Sequence, residues 1–309
     1  MMSAEKVIEV KSLHKRFKTV HAVNNISFEL ERGDIFAFLG PNGAGKTTTL
    51  RILLDIIKAD QGEILWNLNG NQNNLPDSSL IGYLPEERGL YTDLPVLRSL
   101  VYLASIRGME SAKAHAAAME WLDRMGLADR AKEKLQTLSK GNQQKVQFIA
   151  SIVHKPAFAI LDEPFSGLDP LNQELFIEYI RELNAQGCTV LLSSHQMQLV
   201  EKIARKIFLI NHGKELYKGS LSGIYNAFGL QHTLELSFEG EVPMEQIKKI
   251  KGTELVSGTD SSGVRVVFNA EKKLPEIMKD FSTLDGITNI KSQNSSLHDI
   301  FLELVKNKS

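Results

Sequence analysis

Short apolar runs rich in β-branched residues alternate with longer stretches of helical periodicity up to about residue 213, the pattern of an α/β protein with a largely buried sheet. Strands are expected at Val7–Val10, Ile26–Leu30, Ile35–Leu39, Phe158–Asp162, Thr189–Ser193 and Ile207–Asn211. Between Pro95 and Leu138 the chain is almost all helix-forming, with Met119, Leu122 and Met125 on one spacing and Gly126 placed to end that helix. This reads as a helical insert. Lys214–Gly219 reads as a hairpin end and Ser220–Gly229 as a short helical connector. Beyond it come a strand (Leu234, Leu236, Phe238 alternating), a helix (Met244–Ile250), strands at Thr253–Ser257 and Val264–Phe268, a helix (Glu271–Phe281), a strand (Ile287–Lys291) and a last helix (Ser296–Lys306). That β-α-β-β-α-β order is the split-βαβ arrangement of ferredoxin-like domains. The expected fold class is therefore α/β over residues 1–220, with a helical subdomain at about 92–155, followed by a small C-terminal α+β domain over 221–309.

Composition narrows the function classes. The 309 residues carry 36 Lys and Arg against 37 Asp and Glu, a net charge of −1, so nothing in the balance argues for a bulk nucleic-acid partner. The cluster Lys11, Lys15, Arg16, Lys18 reads most simply as a solvated strand edge. Cys188 is the single cysteine, which excludes an intrachain disulfide and an all-thiolate metal site and fits a reducing compartment. Met1–Lys11 is charged and lacks a signal-peptide apolar stretch. The longest apolar runs, such as Ile35–Leu39, fall far below the ~20 residues that span a bilayer, so the chain is not expected to cross one itself. His232 and His298 have no ligand partners nearby in sequence and are read as structural.

The sharpest chemical signal is Gly40-Pro41-Asn42-Gly43-Ala44-Gly45-Lys46-Thr47, which matches G-x-x-x-x-G-K-[ST], follows an apolar strand and opens a helical run expected through Ile57. Its glycines let successive backbone N–H groups curl around phosphate oxygens, Lys46 reaches the β- and γ-phosphates, and Thr47 offers a hydroxyl to Mg²⁺. Asn42 to Thr48 form the candidate nucleotide cradle; the alternative is a plain glycine turn. Phosphoryl transfer also needs a carboxylate at a strand end, and Phe158–Asp162 closes on Asp162 and Glu163. Asp162 is the metal candidate and Glu163 the general base or water-orienting group. Without the phosphate loop, a solvated acidic pair before Pro164 would be the better reading.

Asp162-Glu163-Pro164, then Ser166-Gly167-Leu168-Asp169 and Ser193-Ser194-His195, all lie downstream of Leu138-Ser139-Lys140-Gly141-Asn142-Gln143-Gln144-Lys145. This ordered set resembles the nucleotide-binding subunit of ATP-binding-cassette (ABC) transporters over about residues 5–220. Ile81–Tyr91, the Lys-Gly-Asn signature and the C-terminal domain ending Leu297–Leu302 look closest to the ABC-2-type, sodium- and drug-extruding export group. The resemblance implies an ATPase that binds ATP and Mg²⁺ as a head-to-tail dimer, with Ser139 and Gly141 of one copy facing the nucleotide of the other. It also implies that His195 contacts the γ-phosphate, that Phe17 stacks on adenine and that Asp169 lies at the dimer seam. Read alone, Ser139 is an ordinary helix cap, His195 a structural or capping residue, Phe17 a core aromatic and Asp169 a plain loop acid.

Separate integral membrane permease subunits are the implied partners, with no nucleic acid expected, and the cytoplasmic face of the cell membrane the implied location. Tyr91, Leu94, Val96 and Leu100 are candidates for the permease groove or equally for the helical core. A soluble ABC ATPase acting on ribosomes or DNA is the alternative. Against it, only 116 positions separate Lys46 from Asp162, too few for an intervening coiled coil. Two departures stand out. Glu86 occupies the position where most members have Gln, putting a carboxylate beside the metal with Arg88 as a candidate offset. The signature reads Ser-Lys-Gly-Asn in place of Ser-Gly-Gly-Gln, retaining Gly141 and adding Lys140.

Overall fold

Two long strands open the chain, β1 (Lys6–Phe17) and β2 (Val20–Glu31), paired antiparallel from Phe17↔Val20 at the tip to Lys6↔Glu31 at the base. Both run well beyond the expected apolar stretches. Buried residues are interspersed with polar ones, and the charged half from Lys11 to Phe17 is held by cross-strand pairing, bulged where Ser12 and Asn25 take positive φ. In the computed structural model, the described residues are 5–308 apart from 69, 71, 88, 229–231, 259–262, 269–273, 283 and 295.

β3 (Ile35–Leu39) is buried at every residue and feeds the glycine loop and α1 (Lys46–Leu53). That helix stops four residues before the expected Ile57: Asp55 adopts φ 59°, a left-handed conformation that ends it. β4 (Gln61–Trp66), which the apolar pattern does not signal, adds to the other side of β1. β5 (Ile81–Leu84) leads into the helical insert, α2 (Val96–Ile106), α3 (Ser111–Arg124) and α4 (Lys140–Ile152), where Gly126 at φ 69° follows the end of α3. The chain returns through β6 (Phe158–Asp162), α5 (Pro170–Ala185), β7 (Thr189–Ser194), α6 (Met197–Glu201), β8 (Lys206–Asn211) and β9 (Lys214–Ser220), then α7 (Leu221–Ala227).

The central sheet has the order β5-β6-β7-β3-β8-β9, parallel except for the β8–β9 hairpin. Its strands read as continuous apolar runs because both faces are covered. β3 lies between β7 and β8, so the loop after it opens at a reversal of strand order, where α/β sheets bind ligands. Phe28 of β2 meets Phe38 edge-on at 5.0 Å, and Phe38 stacks on Phe208 of β8 at 4.7 Å, fastening the small β2-β1-β4 sheet to the large one.

The chain divides into two compact units, Met1–Leu221 and Ser222–Ser309. The second contains β10 (His232–Phe238), α8 (Met244–Lys248), β11 (Thr253–Gly258), β12 (Gly263–Phe268), α9 (Leu274–Phe281), β13 (Ile287–Asn294) and α10 (Leu297–Lys308). Its four strands form an antiparallel sheet in the order β11-β12-β10-β13, the ferredoxin-like topology. Leu234, Leu236, Phe238, Val264, Val266 and Phe268 pack with Ile247, Ile277 and Phe281 in a separate core. Residues 271–273 of the expected helix lie outside the described residues. Ser296 and Asp299 cap α10 reciprocally, Ser296 N–H donating to Asp299 Oδ2 at 3.0 Å and Asp299 N–H to Ser296 Oγ at 3.2 Å.

Candidate active site

The loop from Gly40 to Gly45 is anchored at its two end glycines by backbone contacts that admit no side chain there. A Cβ on Gly45, which has φ 107°, would sit 2.1 Å from the carbonyl oxygen of Ala22, and one on Gly40 2.2 Å from that of Ile210. Gly43 has φ 78° but faces open space. Lys46 at the start of α1 is buried, its Nζ donating to the carbonyls of Gly40 at 2.8 Å and Pro41 at 3.3 Å. The ammonium is thus held under the loop that its own helix begins.

Around that lysine, strand ends deliver the acids. Asp162, at the end of β6, is fully buried; Ser193 Oγ of β7 donates to its Oδ1, and its Oδ2 has no hydrogen-bond partner among the described residues. Burial raises the Asp162 pKa above the usual carboxylate value, opposed by the Ser193 and Thr47 hydroxyls and reinforced by the charges of Glu86 and Glu163. Glu163, next in the chain, takes φ 49°, a strained left-handed conformation that costs about 1–3 kcal/mol for a non-glycine residue. Its N–H donates to Ser193 Oγ at 3.0 Å, which holds the turn. The kink lets consecutive residues present their carboxylates to one pocket, where strand geometry would point them apart.

The Glu163 carboxylate is 4% exposed and divides its oxygens between two bases. Oε1 lies 3.2 Å from Lys46 Nζ as an ion pair without hydrogen-bond alignment, and Oε2 lies 3.0 Å from His195 Nδ1. With the proton on Nδ1 the ring donates to Oε2 and keeps Nε2 as an acceptor, on a half-exposed side chain. On the other side of Lys46, Thr47 Oγ1 lies 3.4 Å from Oε2 of the exposed Glu86, just past β5.

Magnesium fits this donor set. Thr47, Asp162 and Glu86 offer hard oxygen ligands, the buried Asp162 Oδ2 accepts no hydrogen bond from the described residues, and Mg²⁺ is held by one or two carboxylates together with substrate phosphates. Among the described residues no group of three or more His, Cys, Asp or Glu could hold a metal by itself. Arg88, the candidate offset for Glu86, lies outside the described residues.

Phe17 ends β1 at the hairpin tip, 43% exposed, with Lys15 Nζ 5.4 Å from its ring centre. It is no core residue. Lys15 Nζ and the Arg16 N–H both donate to Asp60, each at 2.7 Å, so part of the basic cluster pins the hairpin. The same hairpin supplies the Ala22 carbonyl that abuts Gly45.

Ser139, Gly141 and Asp169 stand apart. Ser139 caps α4 and accepts from Asn142 N–H at 3.3 Å; Asp169 caps α5 and accepts from Asn172 N–H at 2.9 Å, which lowers its pKa. Among the described residues neither bonds to Lys46, Asp162 or Glu163. Among the described residues Gly141 has no steric reason to be glycine, the nearest atom to an added Cβ being the Gly167 oxygen at 3.9 Å. Val96 and Leu100 are core residues, while Tyr91 is 57% exposed and meets Tyr102 edge-on. The sequence reading missed Ser193, the shared support of both acids, which shows only as a hydroxyl closing an apolar strand. It also missed Gln144 and Gln147, buried polar residues on α4 that bond to Pro164 and to the residues flanking Glu86.

The family model for ABC transporters matches residues 23–166. The chain is 37% identical over 302 residues to an uncharacterized ABC transporter ATP-binding protein of Bacillus subtilis (strain 168), covering 97% of this chain and 98% of that one. It is 33% identical over 218 residues to the Nod factor export ATP-binding protein I of Burkholderia lata, covering 69% and 70%. A dimeric ATP-binding cassette solved in a post-hydrolysis state bound to ADP and Pi matches with a TM-score of 0.63 at 23% identity, covering 69% of this chain and 98% of that one, a likeness of fold.

Proposed function

The chain belongs to the ABC transporter ATP-binding proteins, and from that premise we propose how its residues hydrolyse ATP and what the hydrolysis drives. The protein is an ATPase that uses ATP and Mg²⁺. The N–H groups of Asn42 to Thr48 cradle the phosphates, Lys46 pairs with the β- and γ-phosphate oxygens, and Phe17 stacks on the base. Thr47, Asp162 and Glu86 would hold the cation, which would neutralise phosphate charge when bound. Glu163 takes the proton from a water in line with the γ-phosphorus, and His195 fixes the carboxylate and completes the γ-phosphate contacts. ADP and phosphate leave. The observation that carries this reading is the division of the buried Glu163 carboxylate between Lys46 and His195 at 3.2 and 3.0 Å.

ABC ATPases work as dimers and with membrane permease subunits. Here the dimer is a homodimer in which Ser139 and Gly141 of one copy close on the γ-phosphate held by the other, and Asp169 sits at the seam. The glycine at 141, unneeded within its own chain, supports that reading. Among the described residues no helix is long and apolar enough to cross a membrane. On this reading the protein sits at the cytoplasmic face of the membrane by binding its permease, and its own docking surface includes the exposed Tyr91, five positions after Glu86. Export is the direction supported by the Nod factor relative; the ribosomal or nucleic-acid alternative finds no support in these relatives.

Glu163→Gln tests the chemistry. It keeps the size and one acceptor but cannot take a proton, so MgATP still binds, turnover falls by 10²-fold or more and an ATP-bound dimer accumulates on size exclusion. Unaltered turnover would remove the role given to Glu163.

A further inference from the structure

Gln147 lies two turns into α4, 3% exposed, and its single amide nitrogen donates to two carbonyls, those of Pro85 and Glu87, each at 3.1 Å. Those two peptide groups flank Glu86, the acid beside Thr47. An amide has two N–H bonds in one plane, so spending each on a different carbonyl fixes the direction in which the intervening residue leaves the backbone. One turn earlier on the same face, Gln144 Nε2 donates to the Pro164 oxygen at 3.2 Å, just beyond Glu163. The helix that starts at Ser139 thereby grips the chain beside both Glu86 and Glu163.

We infer that Gln147 is a positioning residue for the cation: it clamps the backbone on both sides of Glu86, aims that carboxylate at the Thr47 hydroxyl and ties it to the helix that carries Ser139. The inference rests on Glu86 being a cation ligand. Outer groups that orient a metal ligand typically change metal affinity 10- to 100-fold when removed. α4 is then a rigid rod, and any tilt imposed at its first turn reaches Glu86 through two hydrogen bonds rather than through a flexible loop.

The test uses Gln147→Met, which keeps length and volume but has no donor. Pro85 is half-buried and Glu87 exposed, so water can reach the released carbonyls and the variant is expected to fold. Mn²⁺ affinity is measured by electron paramagnetic resonance at saturating ADP for the full-length wild type, Q147M, Glu86→Ala, which leaves no oxygen to ligate, and the double variant, with a thermal melt of each. Expected are a loss of about tenfold in Mn²⁺ affinity in Q147M, a comparable or larger loss in E86A, and no further loss in the double variant. Wild-type affinity in Q147M, or a Q147M loss that persists in full on the E86A background, overturns the clamp. Wild-type affinity in E86A overturns the ligand role of Glu86 instead. If Q147M melts early, Gln147→Leu replaces it: the shorter apolar side chain also lacks a donor and brings no charge into the buried site, and the same outcomes apply.

Discussion

Asp162 shows what a single residue gives up for chemistry. Its carboxylate is buried with one oxygen unpartnered, and burial is the largest cause of its raised pKa. In the unfolded chain the group ionises at the usual carboxylate pH, whereas in the native protein it keeps its proton to higher pH. The stabilisation from the protonated form is complete below the unfolded pKa and is lost as pH rises through the raised native value. At neutral pH the ionised side chain weakens the protein until a cation answers it. Asp162→Asn keeps the Ser193 bond and removes the charge, so in chelator its melting temperature at pH 7 should rise by about 2–4 °C for each kcal/mol relieved. The difference from wild type should shrink toward acid pH, and divalent cations should no longer raise the melting temperature. A variant that melts lower than wild type in chelator contradicts this account. Asp162 and Glu163 are legible in sequence because an apolar run ends on them. Ser193, which supports both, is not, since a hydroxyl at a strand end has many common uses.

At the scale of elements, three glycines that look alike in the sequence face different physics. In the phosphate loop, Gly45→Ala meets both an unsuitable φ and the Ala22 carbonyl, so a fall of several kcal/mol with loss of nucleotide binding is expected on urea unfolding. Gly43→Ala meets only the φ penalty, about 1–2 kcal/mol. Gly141→Ala reverses the sign. It lies in the first turn of α4 with ordinary φ and open space, so the monomer should gain about 0.4–1 kcal/mol while ATP turnover drops. A destabilised G141A would mean that the glycine serves its own helix. The buried strands β3 and β6 have the bounds their apolar runs predict, because parallel strands covered on both faces carry an unbroken signal. β4 escapes that signal: its Gln61, Gly62 and Glu63 are exposed and only Trp66 is fully buried. The end of α1 at Asp55 turns on a local backbone choice that helical periodicity does not record.

At the scale of the molecule, two hydrophobic cores predict two unfolding events. Scanning calorimetry should resolve them, and MgATP at 100 times its Kd should stabilise the larger unit by about 2.7 kcal/mol while leaving the smaller transition in place. A single transition that moves as a whole with nucleotide would make the two units one cooperative body. The order of elements in the small domain is legible because its strands alternate cleanly, Leu234, Leu236 and Phe238 inward, whereas its sheet order depends on pairing that no local pattern states.

The close approach of Ala22 to Gly45 has a further consequence for the whole nucleotide. The β1–β2 hairpin butts against the phosphate loop through the backbone of β2, and Asp60 pins its other strand beside Phe17. The distance from base platform to phosphate cradle is therefore a fixed gauge. On the proposed role of Phe17, a ligand is sorted by its span before any large motion begins: a nucleotide with the right reach engages both ends at once, and a bare triphosphate or a nucleoside engages one.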